Sequence, residues 1–287
     1  MSYCFRPGDP ALNAVILTYH SQNISGNDTS NNDHKALAAD LQALNHAGCR
    51  FVSVRSMINS MFGDSAPGKG TDKPMVCLTF DDGCDFEVRT LEFGTFGVQP
   101  GFLSIMEDFI QQHGKEAQPG LHATSFVIAS PEARQVIDQG SLFGQGHMSD
   151  DWWRTAASHP LLDIGNHGWD HNHPDLKEEL YPRGGFTAIE TMEHCRQQVI
   201  QAGDFICNIT GQWPEIFAYP FGESSDYIRD EFFPNHSKEH QSLAALGTRA
   251  GFVTTQSNRW DLPRFVCGRD WKSPAALLAA LGLQSRR

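Results

Sequence analysis

Two groups of residues in this chain have the types and spacing to do chemistry. The first closes the run Met75-Val76-Cys77-Leu78-Thr79-Phe80-Asp81-Asp82-Gly83, where apolar, strand-forming residues stop at two adjacent carboxylates and a glycine. Catalytic groups of α/β proteins sit where a buried strand gives way to its loop. Adjacent carboxylates repel each other, and a cation or a shared proton relieves that repulsion. An Asp-Asp-Gly turn would need neither, because Asp and Gly also supply ordinary turn chemistry. The second group is His167 and His171, spaced i, i+4 just after the apolar run Leu161-Leu162-Asp163-Ile164-Gly165. If that segment turns helically, both rings lie on one face and can grip one ion. The alternative is a pair of ordinary surface or core histidines. Two imidazoles with Asp82 form a common ligand set for a catalytic divalent metal that keeps open positions for water. His173 competes for the same place, but its i+2 spacing from His171 points it elsewhere.

The elements that must position these groups alternate along the chain. Strands are expected at Ala14 to His20, Phe51 to Val54, Met75 to Phe80, His122 to Ile128, Leu161 to Gly165, Glu215 to Tyr219 and Gly251 to Thr255, with a short segment at Leu262 to Val266. Helices are expected from an Asn32 or Asp33 cap to Gly48, at Arg55 to Phe62, from about Phe86 to Phe93, and at Pro131 to Ile137. More follow at Asp150 to Ala157, Ala188 to Ala202, His240 to Leu246 and Pro274 to Leu281. Caps, breakers and apolar spacing set these bounds. Residues Gly63 to Lys73 read as a surface loop, and Gly94 to Gly120 gives no regular pattern. Strands alternating with helices over the whole length imply parallel β-α units, with the chemistry at strand C-terminal ends. No composition break divides residues 1–287, so a single catalytic domain is expected.

Composition narrows the function. The net charge of -12 argues against nucleic acid or an anionic membrane as partner, since both ask for basic surface. Seven cysteines in irregular spacing, without a C-x-x-C pair, argue against a disulfide framework or a zinc ribbon. No apolar run reaches membrane-spanning length, and the first ten residues lack the pattern of a signal peptide. A cytoplasmic location is the expectation.

Thr79-Phe80-Asp81-Asp82-Gly83 followed by His167-x-x-x-His171 resembles the first two motifs of the polysaccharide deacetylases, also called the NodB homology domain or carbohydrate esterase family 4. Ala123 to Val127 resembles that family's second core strand. Phe217-Ala218-Tyr219-Pro220-Phe221-Gly222 resembles its third motif in the poly-N-acetylglucosamine deacetylase branch. The resemblance runs from about His20 to Arg264. It implies a distorted (β/α) barrel that hydrolyses an N-acetyl or similar acyl group on an amino-sugar or glycan substrate. It also implies one divalent metal, zinc in first place, held by Asp82, His167 and His171, with Asp81 as the catalytic base. A metal there would lower the pKa of a water and polarise the acyl oxygen. Tyr219 and Phe221 would face the substrate, with the Phe221 N–H holding the oxyanion, and Trp169 is the aromatic residue expected beside the site.

The sequence departs from the family pattern in three places. Ala218 stands near the position of a base-orienting arginine, for which Arg264 could substitute unless it is only a surface ion pair. No histidine follows His240 to act as the general acid; in the poly-N-acetylglucosamine branch an N-terminal Tyr-His takes that part, and Tyr19-His20 matches it. Gly168 replaces the Ser or Thr common after the first metal histidine, which changes the support of the loop. Hydrolysis of another C–N bond, such as a cyclic amide or formyl group, and non-catalytic carbohydrate binding are the competing readings. A serine hydrolase is disfavoured because no G-x-S-x-G elbow is present.

Overall fold

A computed structural model describes residues 14–63, 73–176 and 183–283. The loop expected at Gly63 to Lys73 lies mostly outside the described residues. In chain order the strands and helices begin with β1 (Ala14–Tyr19), α1 (Asp33–Ala47), β2 (Arg50–Phe51), α2 (Val54–Phe62) and β3 (Met75–Asp82). A small hairpin, β4 (Leu91–Glu92) and β5 (Val98–Gln99), precedes α3 (Phe102–His113), β6 (Ala123–Val127) and α4 (Pro131–Ser141). Then come α5 (Trp153–Ala156), β7 (Leu162–Asn166), α6 (Met192–Cys195), a π-helical stretch (Arg196–Gln201) and α7 (Ala202–Thr210). β8 (Ile216–Ala218), a second π stretch (Tyr227–Phe232), α8 (Phe233–Asn235), α9 (Ser237–His240), β9 (Ala244–Leu246), β10 (Phe265–Val266) and α10 (Pro274–Ala280) complete the order.

The main sheet is parallel throughout, in the order β10-β1-β3-β6-β7-β8-β9, with β2 also on β3. All six residues of β1 are buried, as a strand covered on both faces requires. Val15, Leu17, Tyr19, Val76, Leu78 and Phe80 pack in one core with the apolar faces of α1, α3 and α10. The alternate residues Ala14, Ile16, Met75 and Cys77 share a second core with Ile216, Ala218, Leu246 and Leu262, inside the curl of the sheet. The segment before β10 ties the two edges together. Leu262 bridges Leu246 of β9, while Phe265 and Val266 pair with Leu17 and Thr18 of β1. Curled and closed in this way, the sheet is the distorted (β/α) barrel that the sequence leads one to expect.

Several elements differ from the sequence reading. Phe86 to Phe93 is not helical: one 3-10 turn at Asp85–Glu87 leads into the β4–β5 hairpin. There the Glu87 carboxylate turns back to the Gly83 and Cys84 N–H groups, and Asp85 is held by Ser149. Helix α3 lies inside the stretch that had no assignment, burying Phe102, Ile105, Met106 and Phe109. His240 to Leu246 holds a strand rather than a helix, because pairing Ala244–Leu246 with β8 overrides the helix preference of Ala and Leu. Val253 makes only a single antiparallel bridge, to Ala14. The helix placed at Ala188 to Ala202 begins at Met192 and continues to Thr210.

One buried acid pins α1 to the sheet. Asp40 Oδ2 accepts hydrogen bonds from the Tyr19 hydroxyl (3.0 Å) and the Trp271 indole N–H (2.8 Å), and Asp40 Oδ1 has no partner among the described residues. Burial pushes this carboxyl up from 3.8 to about 7. A folded pKa above the unfolded one means that the native state holds the proton more tightly. The stability this confers is present below the unfolded value and lost as pH rises to about 7. Asp40→Asn, which keeps an acceptor for both donors, is expected to remove a decline on the order of 3 kcal/mol between pH 4 and 7. Urea melts across that range read the difference; parallel wild-type and variant profiles would refute it.

Candidate active site

The site lies where β3 ends. Alternation sends Thr79 and Asp81 to the inside of the barrel, and Asp81 is 3% exposed. An isolated carboxylate there would be costly, and a fully buried arginine answers it. Arg264 donates Nη1 to Asp81 Oδ1 at 2.7 Å and Nη2 to Oδ2 at 2.9 Å. Its Nε donates to the Gly247 carbonyl at 2.8 Å, and Nη1 also reaches Thr79 Oγ1 at 3.3 Å. Burial alone would raise the Asp81 pKa, but the Arg264 charge and hydrogen bonds, together with the His167 and His20 charges, outweigh it and hold the carboxyl below its usual value. The surface ion pair considered for Arg264 is therefore replaced by a buried, bidentate one.

Asp82 cannot face the same side by ordinary strand geometry, since neighbouring residues point to opposite faces. Its φ of 81° turns the backbone out of the extended region. Asp82 Oδ1 then lies 3.4 Å from His167 Nε2 and 3.5 Å from His171 Nε2. One ligand atom from each of these three residues falls within 4.8 Å of the other two, a grouping found nowhere else among the described residues. His167 Nδ1 donates to the Ala218 carbonyl at 2.8 Å, which fixes the tautomer and leaves the Nε2 lone pair facing Asp82. Burial raises the Asp82 pKa, yet His167, His171 and the His20 charge beside it together bring it well below the ordinary value. His171 is shifted down by burial. In His167 burial also lowers the pKa, but the charges of Asp81 and Asp82 carry it above the usual value. One carboxylate and two imidazoles with converging lone pairs suit a divalent ion.

The i, i+4 spacing of the histidines works without a helix. His167 follows the end of β7, and the chain then winds through Gly168 (φ 86°), His171 (φ 62°) and Asn172 (φ 44°). Six non-glycine residues among those described have positive φ, and Asp82, His171, Asn172 and Phe221 are four of them. Such backbone costs of order 1–3 kcal/mol each and persists where surrounding structure over-determines it.

Of the other expected site residues, His20 directly follows β1, with its backbone N–H on Asp33 Oδ2 at 2.8 Å. Its ring is near enough to Asp81 and Asp82 to favour their ionised forms, and its Nδ1 has no partner among the described residues. Phe221 sits on the rim, 54% exposed, with its ring edge-on to His171 at 4.4 Å between centroids. No acceptor among the described residues takes its backbone N–H. The turn depends on Gly222 (φ 70°), where a Cβ would come within 1.9 Å of Thr248 Oγ1.

Tyr219 and Trp169 do not join the site. The Tyr219 ring is wholly buried among Phe186, Phe217 and Phe233, with its hydroxyl on the Trp260 carbonyl at 2.8 Å. Ala218 just before it points into the barrel, so alternation sends Tyr219 outward on the side of Phe217. Trp169 packs edge-on against Phe205 of α7, on the core beneath the helices. Trp152, Trp153 and Trp271 are core residues too.

Two residues escaped the sequence reading. Gln22, just past β1, donates its side-chain N–H to Asp82 Oδ2. Glu87 is fully buried, accepting the N–H groups of Gly83 and Cys84 and the Ser125 hydroxyl. Burial raises its pKa well above the ordinary value, and through these hydrogen bonds it braces the Asp-Asp-Gly loop. A glutamate four residues after Gly83 was visible in the sequence, but no spacing rule assigns it to the loop.

Comparison with known proteins agrees with this architecture. Residues 68–232 match the family model described as polysaccharide deacetylase, and the chain belongs to that family. No curated protein shows significant similarity to the sequence. Among solved structures, the Streptococcus pyogenes deacetylase PplD, in complex with acetate, superposes with a TM-score of 0.60 at 17% identity, covering 94% of this chain and 99% of that one. IcaB from Ammonifex degensii gives 0.57 at 18% identity, covering 94% and 96%. The BpsB deacetylase domain from Bordetella bronchiseptica gives 0.56 at 16%, covering 90% and 98%. At these identities the likeness speaks for the fold.

Removing the cation from the Asp81 pair tests the buried electrostatics directly. Arg264→Met is expected to cost about 3–5 kcal/mol in urea unfolding at neutral pH, because it leaves the carboxylate uncompensated. Double substitution with Asp81→Asn should recover much of that loss. A single-variant cost under about 1 kcal/mol would show that Asp81 does not depend on Arg264.

Proposed function

We propose that this protein is a metal-dependent hydrolase that removes an N-acetyl or similar acyl group from an amino sugar or glycan precursor, in the assembly of a surface polysaccharide. The observation that carries the proposal is the division of labour at the end of β3. Asp82 converges with His167 and His171, while Asp81 beside it is held ionised by Arg264. Family membership supports the deacetylase chemistry, and acetate, present with the Streptococcus pyogenes relative, is the product that N-deacetylation releases.

Asp82, His167 and His171 would hold one divalent ion, and zinc suits two imidazoles with a carboxylate. When bound, that ion supplies Lewis acidity, making a water more acidic and the acyl carbonyl more electrophilic. Asp81 does not belong to the ligand set, so its carboxylate can take the proton of the attacking water. Arg264 keeps it charged and fixes both of its oxygens. The Phe221 N–H, without an internal acceptor among the described residues, is a donor for the tetrahedral oxyanion. His20, from the end of the neighbouring parallel strand β1, would protonate the leaving amine, and the exposed Phe221 ring offers an apolar face to the sugar.

Purified protein is expected to contain about one divalent ion per chain and to release acetate from an N-acetylhexosamine oligomer. Asp82→Asn and His171→Ala should lose ion and activity together. Asp81→Asn should retain the ion and lose turnover by about 10²–10⁴-fold, with His20→Ala slower and equally metal-replete. Elemental analysis beside acetate release separates these outcomes. An Asp81→Asn enzyme at wild-type rate would remove Asp81 as the base, and formate or a ring-opened product in place of acetate would reassign the bond.

A further inference from the structure

The loop carrying His167 and His171 has no regular structure of its own, so its geometry must come from what it leans on. Asn166, the last residue of β7, clamps the entry. Its Oδ1 accepts the Gly168 N–H at 2.9 Å, and its Nδ2 donates to the Val199 carbonyl at 2.8 Å. Val199 lies in the π-helical stretch Arg196–Gln201, and so does Gln198, which is fully buried. The Gln198 Oε1 accepts the N–H groups of Trp169 (3.2 Å) and Asp170 (3.4 Å). Its Nε2 donates to Asp170 Oδ1 at 2.6 Å. That carboxylate oxygen also accepts the Asn172 N–H at 3.0 Å, and Arg183 donates to the other one. One carboxamide thus serves the backbone on the N-terminal side of His171 and, through Asp170, the backbone beyond it.

The departure at Gly168 fits this arrangement. Gly168 has φ 86°, and a Cβ there would meet Phe186 Cζ at 2.9 Å and Gln198 Oε1 at 3.3 Å. The space that a side chain on the loop would fill is taken by a side chain arriving from the helix. A π turn inserts one residue into the helical register, rotating the residues after it relative to a continuous α-helix. Here it puts the Gln198 side chain and the Val199 carbonyl against the same loop.

We propose that Gln198 is the positioning residue of the ligand loop: its carboxamide, presented by the π stretch, holds Trp169 and Asp170 so that His171 faces Asp82 and His167. The inference rests on the reading of those three residues as a metal site. It assigns to a helix distant in sequence the support that Gly168 cannot give.

The test measures zinc affinity by competition with a chromophoric chelator, together with the visible spectrum of the cobalt-loaded protein and the thermal midpoint of the metal-free protein. Gln198→Met keeps the length and apolar packing but loses every hydrogen bond. It is expected to bind zinc about 10–100-fold more weakly and to show an altered cobalt spectrum. Gln198→Glu keeps the accepting oxygen but sets a charge against Asp170, and it is expected to lose affinity to a smaller degree. A lowered midpoint with zinc affinity within about twofold of wild type would make Gln198 merely structural and overturn the proposal. If the Met variant does not fold, unchanged affinity in the Glu variant overturns it equally. Wild-type protein that binds no zinc would instead bring down the metal site itself, and this inference with it.

Discussion

The Asp81–Arg264 pair is the interaction on which the rest of the structure leans. It joins the end of β3 to the segment that links the two edges of the sheet, and both members lie inside the barrel. A buried ion pair gains little over well-packed apolar residues, but losing one partner is strongly destabilising, so each residue makes the other obligatory. The arginine is also tied to Gly247 and Thr79, which leaves its planar fork one position to adopt. Barrel closure and the charge state of Asp81 are therefore the same structural event.

A second constraint follows from strand geometry. Two adjacent aspartates cannot both face the inside of an extended strand. Asp82 reaches the histidines only by adopting a left-handed backbone, and His171 and Phe221 do the same on the facing loops. Three loops each concentrate strain at the point where they meet. Hydrogen bonds hold them there: Glu87 beneath Asp-Asp-Gly, the Ala218 carbonyl on His167, and Gln198 beneath Trp169 and Asp170. This pattern fits a site whose geometry is fixed before any ligand arrives.

The surroundings divide the ionisable groups by need. Where a carboxylate has a cationic or histidine partner it is kept charged, as at Asp81 and Asp82. Where it has only neutral donors, as at Asp40 and Glu87, burial favours the protonated form and the group becomes a structural hydrogen-bonding element. Burial alone thus draws one set of acids towards the protonated form, while a cationic or histidine partner keeps the other set charged.

Much of this was legible in the chain alone. The apolar run into Asp81-Asp82, the repeated strand-helix order and the caps of α1, α4 and α10 depend on local spacing and chemistry, and the structure keeps them. The grouping of Asp82, His167 and His171 could be named for the same reason, since residue type decides what can bind an ion, and the structure brings the three together. What the sequence could not decide is where long-range partners arrive. Arg264 meets Asp81 across 183 positions, and Gln198 meets Asp170 across 28, through contacts that only barrel closure and a π turn create. Tyr219 and Trp169 carry site-like motifs, yet alternation and helix packing turn their rings into the core. The i, i+4 spacing of His167 and His171 suggested a helical turn, whereas left-handed turns bring them together. Local chemistry lies within the chain's own order. The direction a side chain faces depends on which surfaces exclude water, and that is settled only when the whole sheet has closed.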